Sequence, residues 1–99
     1  MNNDDHIPQL ADIFNLLGDP TRLRIVMSCL DAPLSVTQIA QTLNVSTSLI
    51  SHHLRLLRAA RLIHAVRQGK QIFCSVADEH ISTILRNMLE HISEPLIED

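Results

Sequence analysis

The sequence has no apolar run long enough to cross a membrane and no recognisable leader segment. Hydrophobic residues make up 45% of the 99 residues, yet no stretch approaches the ~20 apolar residues that a bilayer-spanning helix requires. The chain begins Met-Asn-Asn-Asp-Asp, which lacks the basic and apolar regions of a signal peptide. We therefore expect a cytoplasmic protein that folds as a single domain over residues 1–99.

Cysteine is scarce, and its two copies do not form a Cys-x-x-Cys pattern. Cys29 and Cys74 lie far apart within apolar segments, which is typical of small buried thiols in a reducing compartment. A redox-active pair of thiols is the alternative interpretation.

Acidic residues are absent between Ala32 and Ala77, although the net charge of the chain is −3. The same span contains the basic residues Arg55, Arg58, Arg61, Arg67 and Lys70. A basic middle between two acidic ends favours a nucleic-acid partner, despite the negative mean charge.

Apolar residues at helical spacing predict that most of the chain is α-helical. The first helix covers residues 8–17 and ends at Gly18, and Asp19 followed by Pro20 is typical of the start of a second helix. A capping-box pattern that begins at Ser35 opens a short third helix.

The second half of the chain predicts a longer helix, a β-hairpin and a final helix. Ser46 caps a fourth helix that runs over about residues 46–60. The apolar period then changes to two over about residues 62–76, with Gly69 at the tip of a hairpin, and a last helix spans about residues 78–94. A short helix, a tight turn, a longer helix and a hairpin predict a winged helix-turn-helix fold, mainly α with a small β-hairpin.

The predicted fourth helix has an apolar face and a polar face. The apolar residues are Ile50, Leu54 and Leu57, and the polar residues are Ser48, Ser51, His52 and Arg55, with Thr47 beside them. Hydroxyls near a helix N-terminus suit close approach to phosphates and base edges, and histidine and arginine supply longer donors. An ordinary solvated face is the alternative. Because this face lies in the acid-free span, we predict that it contacts DNA.

Three residues at the predicted hairpin tip, Arg67, Gln68 and Lys70, are placed to reach an adjacent minor groove or the DNA backbone. We expect them to contact phosphates rather than to read bases. Two histidines nearby, His53 and His64, are expected to pack against the core.

The final helix combines an apolar stripe with two pairs of potential metal ligands. The stripe consists of Ile81, Ile84, Leu85, Met88 and Ile92. Asp78 and His80 lie at the start of the helix, and His91 and Glu94 lie at its end. The step from His80 to His91 spans roughly 16 Å on a helix, too far for one ion whose ligand bonds are about 2 Å long. Two such helices packed antiparallel about a two-fold axis would bring the start of one beside the end of the other.

Each potential ligand also has an ordinary structural role available. Asp78 could act only as a helix cap, His91 as a cation near the helix C-terminus, and Glu94 as a surface carboxylate. The spacing of the four, which converge only in an antiparallel dimer, favours metal binding. Two histidines and two carboxylates suit tetrahedral Zn(II), with Co(II) as a surrogate.

Three stretches match a known family: residues 16–25 (Leu-Leu-Gly-Asp-Pro-Thr-Arg-Leu-Arg-Ile), residues 45–55 (Val-Ser-Thr-Ser-Leu-Ile-Ser-His-His-Leu-Arg) and residues 62–76. Through them the chain resembles the ArsR/SmtB family of bacterial metal-responsive repressors over nearly its full length. The resemblance implies a homodimeric winged-helix repressor that binds operator DNA in its metal-free form. It also implies that the major groove is faced by Thr47, Ser48, Ser51 and His52.

The resemblance further suggests where the metal binds. The family's thiolate-rich site, typical of cadmium, lead or arsenite sensors, needs cysteines around residues 36–40, and this chain has none there. The family's C-terminal helix site has Asp-x-His, a ten-residue gap and then His-x-x-Glu or His-x-x-His, which residues 78–80 and 91–94 match. The chain therefore resembles the zinc-sensing subgroup, in which metal binding releases the repressor from DNA.

Three other functions compete with this prediction. A winged-helix repressor could instead respond to thiol oxidation or persulfides at Cys29 and Cys74. A zinc hydrolase is disfavoured, because there is no His-Glu-x-x-His pattern and no spare general base, and we expect no enzyme activity. A pure dimerisation or partner-binding module would leave the polar face over residues 47–55 unexplained.

Overall fold

The structure is a computed structural model and describes residues 3–96. A short 3-10 helix, Asn3–His6, is followed by α1 (Ile7–Leu17), α2 (Pro20–Ser28), β1 (Leu34–Ser35), α3 (Val36–Leu43), α4 (Thr47–Ala59), β2 (Ile63–Gln68), β3 (Gln71–Val76) and α5 (Glu79–Ser93). None of the helices in the described part of the chain has the length and apolar character needed to span a membrane.

The predicted helix starts are confirmed by their capping hydrogen bonds. Asp19 accepts the N–H of Arg22 at 2.9 Å in front of α2. Ser35 and Gln38 form a reciprocal capping box in front of α3, at 3.1 and 2.9 Å. Ser46 accepts the N–H of the third residue of α4 at 3.1 Å. These short side chains satisfy N–H groups that a helix leaves unpaired at its first turn, so they fix where each helix begins.

Two non-glycine residues follow helices in the left-handed backbone conformation: Asn44 after α3, with a φ of 57°, and Arg61 after α4, with a φ of 60°. At the end of α4, the N–H of Leu62 donates to the carbonyl of Leu57 at 2.9 Å, and the N–H of Arg61 donates to the carbonyl of Arg58 at 3.0 Å. This bond pattern satisfies carbonyls at the helix end, and it requires a left-handed residue at the position of Arg61.

The sheet has one strand more than the predicted hairpin. Strands β2 and β3 pair antiparallel around Gly69, whose φ is +62°, as predicted. The two-residue strand β1 pairs with the other edge of β3, so that the strand order is β1-β3-β2. A two-residue strand is too short to show a period of two in the sequence.

The core lies between α2, α3, α4 and the sheet. Its most deeply buried side chains are Ile25, Val26, Cys29, Ile39, Ile50, Leu57 and Cys74. The predicted inner face of α4, formed by Ile50, Leu54 and Leu57, is buried, so its polar face points away from the core. The predicted winged helix-turn-helix fold is confirmed.

The expectation that His64 packs against the core is wrong. His64 is exposed on β2, whereas its neighbour Ile63 is buried and Ala65 is partly buried. Successive side chains of a strand point to opposite faces of the sheet, so Ile63 and Ala65 occupy the inner face and His64 occupies the outer one.

We expect the Leu57→Ala variant to lower the free energy of unfolding by about 2–5 kcal/mol, because it leaves a cavity at a buried site. Leu49→Ala, on the same helix at a position that is 39% exposed, should change it by less than about 1 kcal/mol. Urea unfolding at one fixed protein concentration measures both. Equal losses in the two variants would contradict the inward orientation of Leu57.

Candidate nucleic-acid interface and metal centre

The outer face of α4 presents polar side chains that the fold leaves unused. The predicted contact residues Thr47, Ser48, Ser51, His52 and Arg55 are all exposed. The cap of α4 is supplied by Ser46. In the described part of the chain, the other three hydroxyls on this helix have no hydrogen-bond partner within the protein. The first turns of α4 can therefore offer hydroxyl groups and N-terminal N–H groups to a ligand.

The hairpin tip adds positive charge beside α4. Arg67, Gln68 and Lys70 are exposed, and the Arg67 Nε donates to the carbonyl of Gly69 across the turn at 3.2 Å. Among the residues that the structure describes, Arg55, Arg67 and Lys70 have no carboxylate within ion-pair distance. These uncompensated charges are suited to the phosphate backbone of a nucleic acid.

His53 lies on the inner side of α4, as predicted, and is 8% exposed. Its ring packs edge-to-face against the exposed ring of His52, with centroids 5.5 Å apart. Within residues 3–96, the buried Nδ1 of His53 has no hydrogen-bond partner. Burial lowers the pKa of His53 below its ordinary value; the carboxylate of Asp19 opposes this shift, and the charges of Arg22 and His52 add to it. The packing of α4 on α2 therefore favours the neutral imidazole.

Both cysteines are buried free thiols, as expected from the sequence. Burial, and secondarily the neighbouring Cys29, raises the pKa of Cys74 to about 11. Burial also raises the pKa of Cys29. Because the thiolate is the reactive form, both thiols are poor nucleophiles and poor metal ligands in the folded protein.

The first pair of predicted metal ligands meets at the start of α5. Asp78 caps the helix, and its Oδ1 accepts the N–H of Ile81 at 3.2 Å. The same oxygen lies 3.5 Å from the Nδ1 of His80, and the two side chains are 54% and 97% exposed, respectively. Asp78 can cap the helix and bind a metal ion at the same time. Its second carboxylate oxygen has no hydrogen-bond partner within the described part of the chain.

The second pair lies at the other end of the same helix. His91 is in the last turn of α5 and Glu94 is its C-cap, and both are exposed. Nowhere in residues 3–96 do three or more His, Cys, Asp or Glu side chains come together in a group that could hold a metal ion. A single chain thus presents two potential ligands at each end of α5.

One half of α5 is anchored to the rest of the fold. Ile81 and Leu85 pack against the core, and Arg86 forms an ion pair with Asp31 at 2.7 Å. Arg86 also donates to the carbonyl of Leu30 at 3.4 Å. Within the described chain, every residue of α5 after Leu85 is exposed, so the C-terminal half extends beyond the core.

An apolar surface adjoins the first ligand pair. Between α1 and α5 runs a groove of about 510 Å³, and its exposed apolar lining includes Leu10, Phe14, Ile84 and Met88. The lining also includes Arg61, Asp78 and His80. We call this feature the α1–α5 groove. Exposed apolar side chains on two adjacent helices make this groove a candidate interaction site.

The contribution of α1 to this groove was not predicted from the sequence. Phe14 is 60% exposed, although it shares a helical stripe with the partly buried Ile13 and Leu17. Apolar side chains occupy most positions of α1, which is a wider apolar surface than one buried stripe requires. That width is the signal in the sequence from which a second apolar face could have been inferred.

Sequence comparison identifies related proteins. The family model described as "Bacterial regulatory protein, arsR family" matches residues 19–65. A transcriptional repressor SmtB homolog from Synechocystis is 37% identical over 90 residues, which cover 91% of this chain and 68% of that protein.

Solved structures share the fold over nearly the whole chain. The homodimeric winged helix-turn-helix DNA-binding domain of a possible ArsR-family regulator from Mycobacterium bovis has a TM-score of 0.83 at 19% identity, covering 99% of this chain and 94% of that one. The cadmium metal-sensor CMTR from Mycobacterium tuberculosis has a TM-score of 0.70 at 30% identity, covering 90% of this chain and 98% of that one. The first of these likenesses concerns the fold alone.

We expect His53 to make the fold less stable in acid. Its pKa in the folded protein lies below the ordinary value of 6.5, so the unfolded chain binds this proton more readily. The stabilising contribution of the neutral ring is therefore complete above about pH 6.5 and decreases as the pH falls from there toward the folded-state pKa. The variant His53→Gln should show a smaller loss of stability between pH 7 and pH 5, measured by urea unfolding.

The matched control is His64→Gln, an exposed site on β2, in which His53 remains and the loss in acid should persist. If His53→Gln loses as much stability in acid as the unmodified protein, the buried imidazole is not the responsible group.

Proposed function

Because this chain belongs to the ArsR family of bacterial regulatory proteins, we propose that it is a metal-sensing transcriptional repressor that binds operator DNA as a homodimer. The metal-free dimer binds the operator, and Zn(II) bound between the subunits releases it. The observation that carries this proposal is the position of two potential ligands at each end of α5, with an exposed apolar groove beside the first pair.

DNA binding is assigned to α4 and the hairpin. The outer face of α4 enters the major groove, where Thr47, Ser48, Ser51 and His52 approach bases and phosphates. Arg55, together with Arg67, Gln68 and Lys70 of the hairpin, contacts the backbone. Support comes from the unpaired hydroxyls and cations of this surface, and from the relative described as a transcriptional repressor.

Dimerisation is assigned to α1 and α5. The exposed apolar side chains of the two helices, including Phe14, Ile84, Met88 and Ile92, become buried when two α5 helices pack antiparallel about a two-fold axis. Removing apolar surface from water contributes about 25 cal/mol per Å². A chain of 99 residues buries only a thin core, so burial of these side chains in a dimer would add to the stability of the fold.

The metal site is assigned to Asp78 and His80 of one protomer with His91 and Glu94 of the other. All four side chains are exposed in the single chain, and antiparallel packing brings the two pairs together. Imidazole nitrogens and carboxylate oxygens in a set of four suit Zn(II), and Co(II) accepts the same donors. The relative described as a cadmium sensor supports a metal effector. In this chain both thiols are buried with raised pKa values, which favours a metal that does not need sulfur.

Metal binding and DNA binding are coupled through the angle between the two α5 helices. Holding one ion with ligands from both protomers fixes that angle. The anchored half of α5 is joined to the core through Ile81 and Leu85, and the same core carries α4. An angle that suits the operator poorly lowers DNA affinity, and by linkage DNA lowers metal affinity by the same factor.

A thiol-based signal is less well supported. Cys29 and Cys74 are 1% and 0% exposed, and a low-pKa accessible thiolate is what an oxidant or persulfide sensor requires. The metal mechanism predicts that zinc still releases the protein from DNA after both thiols have been chemically blocked.

We expect His80→Ala and His91→Ala to retain DNA binding without metal but to lose zinc-induced release, because each variant removes one imidazole ligand from every site. Operator titrations by fluorescence anisotropy, with Zn(II) and with a chelator, measure both properties. Glu79→Ala and Glu90→Ala are matched controls on the same helix, and both should still be released by zinc.

If zinc still releases both histidine variants from operator DNA, the assignment of His80 and His91 as ligands is wrong. The Co(II) spectrum of the unmodified dimer provides an independent check, with two tetrahedral ions per dimer and no sulfur-to-metal charge-transfer band expected.

We expect Lys70→Ala to weaken binding by a similar factor for all DNA sequences, because a phosphate contact carries no sequence information. The slope of log K against log salt concentration should decrease by about 1. His52→Ala should instead reduce the discrimination between operator and random DNA and leave the slope nearly unchanged. Anisotropy titrations at several salt concentrations distinguish the two, and an unchanged slope in Lys70→Ala would exclude a phosphate contact by this residue.

A further inference from the structure

Arg61 occupies a position where glycine would be the easiest residue to accommodate. It follows α4 with a φ of 60°, which is unfavourable for a side chain with a β-carbon and costs glycine nothing. The hydrogen bonds of the helix end, from Leu62 to Leu57 and from Arg61 to Arg58, require this conformation whichever residue is present. A long cationic side chain is thus held at a backbone position that disfavours it, which directs attention to what the side chain contacts.

The Arg61 side chain is exposed and lines the α1–α5 groove together with Asp78 and His80. It also lines an adjacent cleft that includes Asp12. Within residues 3–96, however, no carboxylate lies within ion-pair distance of Arg61. Its charge is therefore uncompensated in the single chain, next to a surface that dimerisation covers.

A complementary charge lies at the opposite end of α5. Glu94 is exposed, and in the described chain it has no cationic partner. In the antiparallel pairing, the end of one α5 lies beside the start of the other, which is where Arg61 lines the groove. At about 100° per residue, Glu94 projects about 40° from the direction of His80, whereas Glu90 projects about 80° away. Glu94 is thus the better placed of the two acids.

We propose that Arg61 forms an ion pair with the partner's Glu94 in the metal-free dimer, and that metal binding at Glu94 breaks this pair. The inference rests on the antiparallel α5 pairing of the proposed function and adds a regulatory element to it. The guanidinium competes with the metal ion for one carboxylate, so the ion pair stabilises the metal-free dimer and raises the metal concentration needed for release.

Charge exchange tests the ion pair. With a chelator present, Arg61→Glu and Glu94→Arg should each raise the dimer dissociation constant by about five-fold, and the double variant Arg61→Glu/Glu94→Arg should restore it to within about two-fold. Arg61→Glu keeps a β-carbon at the left-handed position, so the backbone strain is unchanged in the comparison. Sedimentation equilibrium at low salt measures the constants, and circular dichroism verifies that each variant is folded.

The acid Asp12, which lines the same cleft as Arg61, serves as a control for an ion pair formed within one chain. The double variant Arg61→Glu/Asp12→Arg should not restore dimerisation. Restoration by the Asp12 exchange, or no restoration by the Glu94 exchange, would overturn the proposal.

Competition with metal is tested by Arg61→Gln, which removes the charge but keeps a polar side chain at this position. Its zinc affinity, measured against a chromophoric indicator, should be about three- to five-fold higher than that of the unmodified protein. An unchanged zinc affinity would show that Arg61 does not compete for the site.

The experiments distinguish failure of the proposed metal site from failure of the proposed ion pair between Arg61 and the partner's Glu94. Zinc release that survives His80→Ala and His91→Ala refutes the metal site and leaves the charge-exchange result standing. A metal site that behaves as proposed, combined with no rescue by charge exchange, refutes only the role of Arg61.

Discussion

The length of α5 sets the constraint on which the rest of the proposed mechanism depends. Its two ligand pairs are separated by roughly 16 Å of helix, while a zinc–ligand bond is about 2 Å long. A single chain therefore cannot complete a four-ligand site from this helix, in agreement with the lack of any group of three potential ligands in residues 3–96. In the proposed site, the remaining ligands come from a second copy, so that metal occupancy would depend on dimer geometry.

The placement of the other surfaces is consistent with this dependence. The core that anchors Ile81 and Leu85 of α5 also buries the inner face of α4, so the two helices are connected through packed side chains. Arg55, Arg67 and Lys70 are not among the residues that line the α1–α5 groove. In the proposed function, one short domain thus carries separate surfaces for sensing and for DNA binding.

Local signals in the sequence were sufficient to predict most of the fold. Asp19, Ser35 and Ser46 cap helices because of hydrogen bonds to N–H groups three residues away, and such signals can be read directly from the sequence. The strand β1 could not be found in this way, because its two residues become a strand only by pairing with β3. The exposure of His64 depends on the register of β2 relative to the core, which is a tertiary property.

The ligand assignment at the candidate site stays a prediction. Spacing indicates four potential ligands, which one ion can bind together only if two helices meet. It does not indicate that Phe14 is exposed outside the core. Nor does it indicate the left-handed backbone of Arg61, since glycine and asparagine are the usual signals for that conformation. Both residues line the α1–α5 groove together with Asp78 and His80.

The unequal support of α5 along its length has a mechanical consequence. Within residues 3–96, the side chains of α5 that pack against the core or form an ion pair with Asp31 are Ile81, Leu85 and Arg86, and the remainder of the helix extends beyond them. Glu94 lies eight residues, or about 12 Å, beyond the last support. A tilt of only about 1° at the support displaces Glu94 by about 0.2 Å, which is the tolerance of a metal–ligand distance. In the proposed site, a bound ion would therefore restrict the tilt of this half of α5, together with the contacts that the second copy makes with Met88 and Ile92.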